Sequence, residues 1–176
     1  MNKKYEITDI AHPINPNLHR IRALRDIPSQ CVKEGDLGGW IEKKSNLSQE
    51  GDCWVGEDAQ VYGEAEVYGN AQVFDDAQVY DDARVYGNAW VYDDARVYDD
   101  ARVRGSARVY GNALVYDDAR VFGNARVYAN AHVFGNAWVY GYAQVYGYAQ
   151  LCGKAAVLGN TCLIGKSYVT LSLIHI

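Results

Sequence analysis

The chain has 176 residues, 49% of them apolar, which allows one domain or a domain with a small appendage. Its formal net charge of -5 argues against direct nucleic-acid binding over the whole surface. MNKKYEITDI lacks the apolar core of a secretory leader and no run is long enough to span a bilayer, so the reading is a cytoplasmic protein away from the membrane.

The first 52 residues follow no period. KYEITDI and LHRIRALRDI read as strands flanking a turn that holds Pro13 and Pro16. GDLGGWIEKKSNLSQEGDCWV then leads into a repeat. A stacked repeat would otherwise present an unpaired edge, so residues 1–52 are expected to form a small β-rich cap.

From Val55 a six-residue period begins. Val55, Val61, Val67, Val73 and Val79 open a series that runs every sixth residue to Val145, then Leu151, Val157, Leu163 and Val169. Ala59, Ala65 and Ala71 open a second series running to Ala155, followed by Thr161 and Ser167, and Cys53 holds the small-residue slot of the first unit. The unit is A-x-V-Y-(G/D)-(N/D). Alanine and valine two apart share one strand face, and the residue between them points out. Gly-Asn and Asp-Asp tolerate positive φ and supply a corner. Three such units close a triangular coil of 18 residues, and about 6–7 coils stack in parallel over residues 53–170.

This pattern, aliphatic-x-x-x-small-x repeated along the chain, resembles the left-handed parallel β-helix of hexapeptide-repeat proteins. The resemblance, not the spacing, implies the handedness. GGW…LSQEGDCW also resembles the head of a family of phage and bacterial hexapeptide-repeat proteins, some of which are labelled acyltransferases by fold analogy. The expected fold is all-β: a left-handed parallel β-helix with an N-terminal β cap.

LSLIHI breaks the period. Leu173 replaces a small residue and His175 falls where an aliphatic is due, so residues 171–176 read as an irregular tail. They look like translated adapter sequence, with the natural chain expected to continue past about Ser172.

Residues 18 apart stack. The position after each valine gives three ladders. The first is Tyr62, Tyr80, Tyr98, Tyr116 and Phe134. The second is Tyr68, Tyr86, Arg104, Phe122 and Tyr140, and the third is Phe74, Tyr92, Tyr110, Tyr128 and Tyr146. Stacked rings would stabilise coils or bind a partner. The position before valine aligns Arg84, Arg102 and Arg120 beneath Trp138, where Arg120 and Trp138 suggest a cation–π contact. Arg108 and Arg126 align on another face. Aspartate pairs line the corners at Asp75-Asp76 and Asp93-Asp94, and at Asp81-Asp82, Asp99-Asp100 and Asp117-Asp118. Neighbouring arginines are expected to neutralise them.

Charge divides the rod. Residues 51–118 hold 15 acids and 5 Lys/Arg, and residues 119–176 hold no acid and 4 Lys/Arg. Two readings follow: head-to-tail association of copies, or an anionic small ligand on a basic aromatic patch. The candidate binding residues are Arg84, Arg102, Arg120, Arg126, Trp138, Tyr140, Tyr142, Tyr146 and Tyr148. Tyr142 and Tyr148 stand at corner positions otherwise held by Asn or Asp.

The function expected is a non-catalytic phage- or prophage-type binding scaffold for a protein partner, an anionic ligand or another copy. The alternative is an enzyme like the hexapeptide acyltransferases, which such a fold resembles. Those enzymes use a histidine base beside a loop that breaks the coils. Here residues 53–170 are uninterrupted and His132 is the one histidine in the regular coils, which weighs against catalysis. No catalytic residue, metal or cofactor is assigned. Cys31, Cys53, Cys152 and Cys162 lie too far apart for a metal motif. Thr8, Thr161 and Thr170 are too few for an ice-binding lattice.

Overall fold

The computed structural model describes residues 3–170 and the backbone of residues 173–175. It is an all-β parallel solenoid of about seven turns, with short 3-10 turns at Pro28–Gln30 and Lys44–Asn46. The solenoid follows from the repeat. Ala83 and Val85 are both 0% exposed while Arg84 between them faces out, and this holds along the coils. The β-branched valines fit a short extended segment and fill the interior, and alanine lets the chain turn close to it.

Each coil strand pairs in parallel with the strands 18 residues before and after it: Val91 meets Val73 and Val109. Three sheets result. The long sheet has ten strands and runs from the head through Gln60–Val61, Gln78–Val79 and Arg96–Val97 onward. The tryptophan sheet begins at Trp54–Val55 and includes Trp90–Val91 and Arg108–Val109. The arginine sheet begins at Glu66–Val67 and includes Arg84–Val85, Arg102–Val103, Arg120–Val121 and Trp138–Val139. Backbone bonds run along the axis: Trp90 N–H donates to Ala107 O at 2.9 Å and Tyr92 N–H to Val109 O at 3.1 Å.

The corners need left-handed backbone. In the row between the arginine and tryptophan sheets glycine supplies it. A Cβ on Gly105 (φ 73°) would meet the backbone N of Gly123 at 3.0 Å. In the other two rows aspartate shares the role with glycine, Glu57 and Ala129: Asp75, Asp81, Asp93, Asp99 and Asp117 sit at φ 55° to 58°. Their carboxylates explain how. Asp75 Oδ2 accepts the N–H of Asp93 (3.1 Å), Asp93 Oδ2 that of Gly111 (2.9 Å) and Asp117 Oδ2 that of Gly135 (2.9 Å). Each aspartate thus supplies an acceptor to the next coil, which offsets the backbone cost. The expected neutralisation by arginine is therefore corrected. Among the described coil arginines the ion pair is Arg84 Nε to Glu66 Oε2 at 3.8 Å, away from the aspartate corners.

The head closes the N-terminal end. β1 (Tyr5–Ala11) and β2 (His19–Ala23) pair antiparallel, and β2 pairs antiparallel with β3 (Leu37–Ile41). β3 then pairs in parallel with Gln60–Val61, so one sheet passes from antiparallel to parallel. Ile41 and Leu47 stand in register with Val61 and Val67, twenty residues on, and β4 (Trp54–Val55) returns to the 18-residue register. A first coil therefore begins at β3, two residues longer than the rest.

That coil's carbonyls have no coil beneath them. Inside the stack such a carbonyl accepts a backbone N–H, as Ala71 O does from Trp54. At the open end side chains replace it. Tyr5 Oη donates to Leu47 O at 2.6 Å, and one coil further in Asn46 Nδ2 of the first coil donates to Ala65 O at 2.9 Å. Lys4 Nζ, fully buried, donates to Cys53 O at 2.8 Å and Cys53 Sγ at 3.1 Å.

At the far end Leu173–His175 pairs with Ala156–Leu158, Ile174 facing Val157, a one-residue slip from the 18-residue register. The period is expected to fail at Leu173 and His175, and this strand is the one that slips; the rest of the expected irregular tail, residues 171, 172 and 176, lies outside the described residues.

Candidate functional site

The three ladders stack coil on coil. Tyr80 and Tyr98 lie with centroids 4.9 Å apart and planes parallel within 0°, and Tyr110 and Tyr128 match them at 4.9 Å and 1°. The coil spacing sets this distance. It exceeds the contact thickness of two rings (about 3.5 Å), so the rings are slid over one another, the arrangement that ring quadrupoles favour. Burial between neighbours pushes the Tyr98 hydroxyl up to about 12, with Tyr80 and Tyr116 adding to it. The arginine that interrupts the second ladder keeps the stack: Arg104 lies 4.8 Å over Phe122.

The nine candidate residues fall in separate places. Arg84, Arg102, Arg120 and Trp138 form one row on the arginine sheet. Arg120 lies 5.3 Å over Trp138, Phe122 meets Trp138 edge-on at 6.1 Å, and Tyr140 stacks on Phe122 at 4.9 Å. So Arg120, Phe122, Trp138 and Tyr140 make one cluster. Arg126 and Tyr146 belong to the tryptophan sheet, with Arg126 beside Arg108 and Gln144 and Tyr146 stacked on Tyr128 at 4.6 Å. Tyr142 projects from the corner between those sheets and Tyr148 from the corner between the tryptophan and long sheets, 64% and 62% exposed. The nine do not share one cavity. Arg84 and Arg102 lie in the earlier coils, and the other seven wrap two faces and two corners of the later ones.

Exposed large apolar side chains gather there. Beyond the head they are Trp138, Tyr142, Tyr148, Ile164 and Tyr168. His132 lies on the long sheet between Leu114 and Gln150, with no side-chain hydrogen bond among the described residues. No cluster of metal-ligating residues occurs among the described residues, and no helix there is long and apolar enough to cross a membrane.

Sequence reasoning missed the chemistry of the head. Burial lowers the Lys4 amine and raises the Cys53 thiol, each partly offset by the other. Burial raises the Tyr5 hydroxyl to about 12. Glu57 is raised because its carboxyl shares a hydrogen bond with that of Asp75. Glu57 borders a cleft of about 470 Å³ between the Gln30–Val32 turn, Leu37 of β3 and the rings of Trp54 and Phe74. Lys4 and Cys53 lie 49 residues apart, so spacing gave no signal.

Among known proteins, a family model described as the YdcK beta solenoid repeat matches residues 77–93, 95–110, 107–121 and 119–134. No curated protein matches the chain.

Proposed function

We propose that this chain is a non-catalytic binding scaffold of the left-handed hexapeptide class, a phage- or prophage-type protein whose later coils hold an anionic partner. Three features support this reading. The coils are unbroken from Trp54 to Val169, so the interior offers no inserted loop to build a catalytic site. The head string GGW…LSQEGDCW resembles that of phage and bacterial hexapeptide-repeat proteins. The observation that carries the reading is local. Past residue 118 the surface has no carboxylate side chain, and there Arg120 lies over a Trp138 that is 42% exposed, with Tyr142 and Tyr148 projecting beside it. Flat rings beside guanidinium groups recognise carboxylate or phosphate partners by stacking and paired hydrogen bonds.

The test is a titration with fluorescently labelled polyglutamate, read by anisotropy. Wild type is expected to bind, and Arg120→Glu with Arg126→Glu to weaken binding at least tenfold at low salt. Equal binding by both proteins, or no binding by wild type, overturns the reading.

A further inference from the structure

We propose that the long sheet is a self-complementary face on which a second copy of the chain docks antiparallel. This goes beyond the anionic-partner reading and uses a different face: Arg120 and Trp138 lie on the arginine sheet and stay uncovered.

The long sheet is bordered by two corner rows. One carries Asp76, Asp94, Asn112, Asn130, Tyr148 and Lys166 in successive coils. The other carries Asp82, Asp100, Asp118, Asn136 and Lys154. Both pass from acid through neutral to lysine in the same direction. The third row, between the arginine and tryptophan sheets, carries Asn88, Ser106, Asn124, Tyr142 and Asn160 and no charge. Only the long sheet has a graded charge on both sides.

The grading selects an orientation. Two copies laid parallel on this face set aspartate against aspartate. An antiparallel pair about a two-fold axis between the Leu114 and His132 strands does the reverse. It places the level of Asp76 opposite Lys166 and that of Asp100 opposite Lys154. Asp94 then faces the Tyr148 level and Asp118 the Asn136 level. No aspartate of these rows faces another, and every charged contact occurs twice, as an isologous interface requires. Asp76, Asp100, Lys154 and Lys166 are all exposed. Between the rows lie the rings of Tyr98, Tyr116 and Phe134, stacked into a flat surface.

The size sets the strength. A face about 20 Å wide and about 30 Å long offers on the order of 600 Å² per copy. That is below the roughly 800 Å² per partner of a standard interface, so the dimer is weak and held largely by charge. Exposed charge pairs are screened by salt.

Sedimentation equilibrium of the full chain at 50 mM and 500 mM salt tests this. A dimer is expected at low salt, weakened at least tenfold at high salt. Lys154→Glu with Lys166→Glu is expected to be monomeric, and so is Asp76→Lys with Asp100→Lys. Mixing the two variants restores every opposite-charge pair, so a one-to-one heterodimer is expected. A monomeric wild type at low salt overturns the proposal, as does a dimer that survives both variants or a mixture that stays monomeric. A monomer that still binds polyglutamate overturns the second copy while leaving the anionic-partner reading standing. A dimer that fails to bind polyglutamate overturns that reading while leaving the second copy standing.

Discussion

The coils up to Asp118 and those after it share one interior and differ outside. Ala95 and Val97 in the first group are as completely buried as Ala137 and Val139 in the second. Yet the first group borders two faces with aspartate, and the second replaces it by Asn, Tyr and Lys at the same corners. The backbone tolerates the change because the left-handed position just before is filled by aspartate, glutamate or glycine in the first group and by glycine or Ala129 in the second. Interior and exterior are therefore separately variable in a solenoid. The inner stripe specifies the coil, and the outer positions are free to carry recognition.

The strongest way to break the comparison is to attack the shared interior. Val103→Asp and Val139→Asp each bury an unpaired carboxylate, and each is expected to cost about 3–5 kcal/mol. Urea denaturation reads both, and similar losses in the two groups are expected. A second test removes the side-chain donor that closes the open end. Lys4→Ala leaves Cys53 O without its Lys4 partner and is expected to cost about 2–4 kcal/mol. Lys4→Met keeps the volume and removes the cost of burying an ammonium, so it should lose less.

Corner aspartates sharpen the comparison further. Asp117→Ala gives up both the bond to Gly135 and a residue suited to left-handed backbone, an expected loss of about 1–2 kcal/mol. Asp117→Gly should recover part of it, because glycine already serves the same corner at Gly135. The smallest effect has the opposite sign. Thr161 occupies an alanine slot with its hydroxyl buried and unpartnered, so Thr161→Ala is expected to raise stability by about 1 kcal/mol. A pH series adds the head to the picture. The Tyr5 hydroxyl is raised to about 12 from an unfolded value near 10. A raised value means the protonated form is favoured in the fold. Its contribution is complete below pH ~10 and is lost as pH rises toward 12.

Much of the coil was legible because a burial pattern of period six leaves few other structures open. The side-chain ladders followed by counting, and Arg120 against Trp138 came out as expected. The corner chemistry did not. A pair such as Asp75-Asp76 looks like uncompensated charge until the next coil's backbone N–H is seen to lie within reach of the carboxylate. The first coil was hidden by spacing: Ile41 and Leu47 keep six, but Leu47 and Val55 stand eight apart, so the unbroken period starts only at Val55. The candidate surface was legible as a list of residues but not as a place, since stacking order says which side chains align and not which corners face one partner.

The central claim is that recognition sits on the outside of the later coils. Hydroxyl-radical footprinting tests it most directly, because it reads side-chain exposure ring by ring. With polyglutamate added to dilute protein, Trp138, Tyr142 and Tyr148 are expected to lose reactivity while Tyr62 and Tyr80 keep theirs. Protection of Tyr62 and Tyr80 in place of the later rings, or none anywhere at saturating probe, would contradict the account.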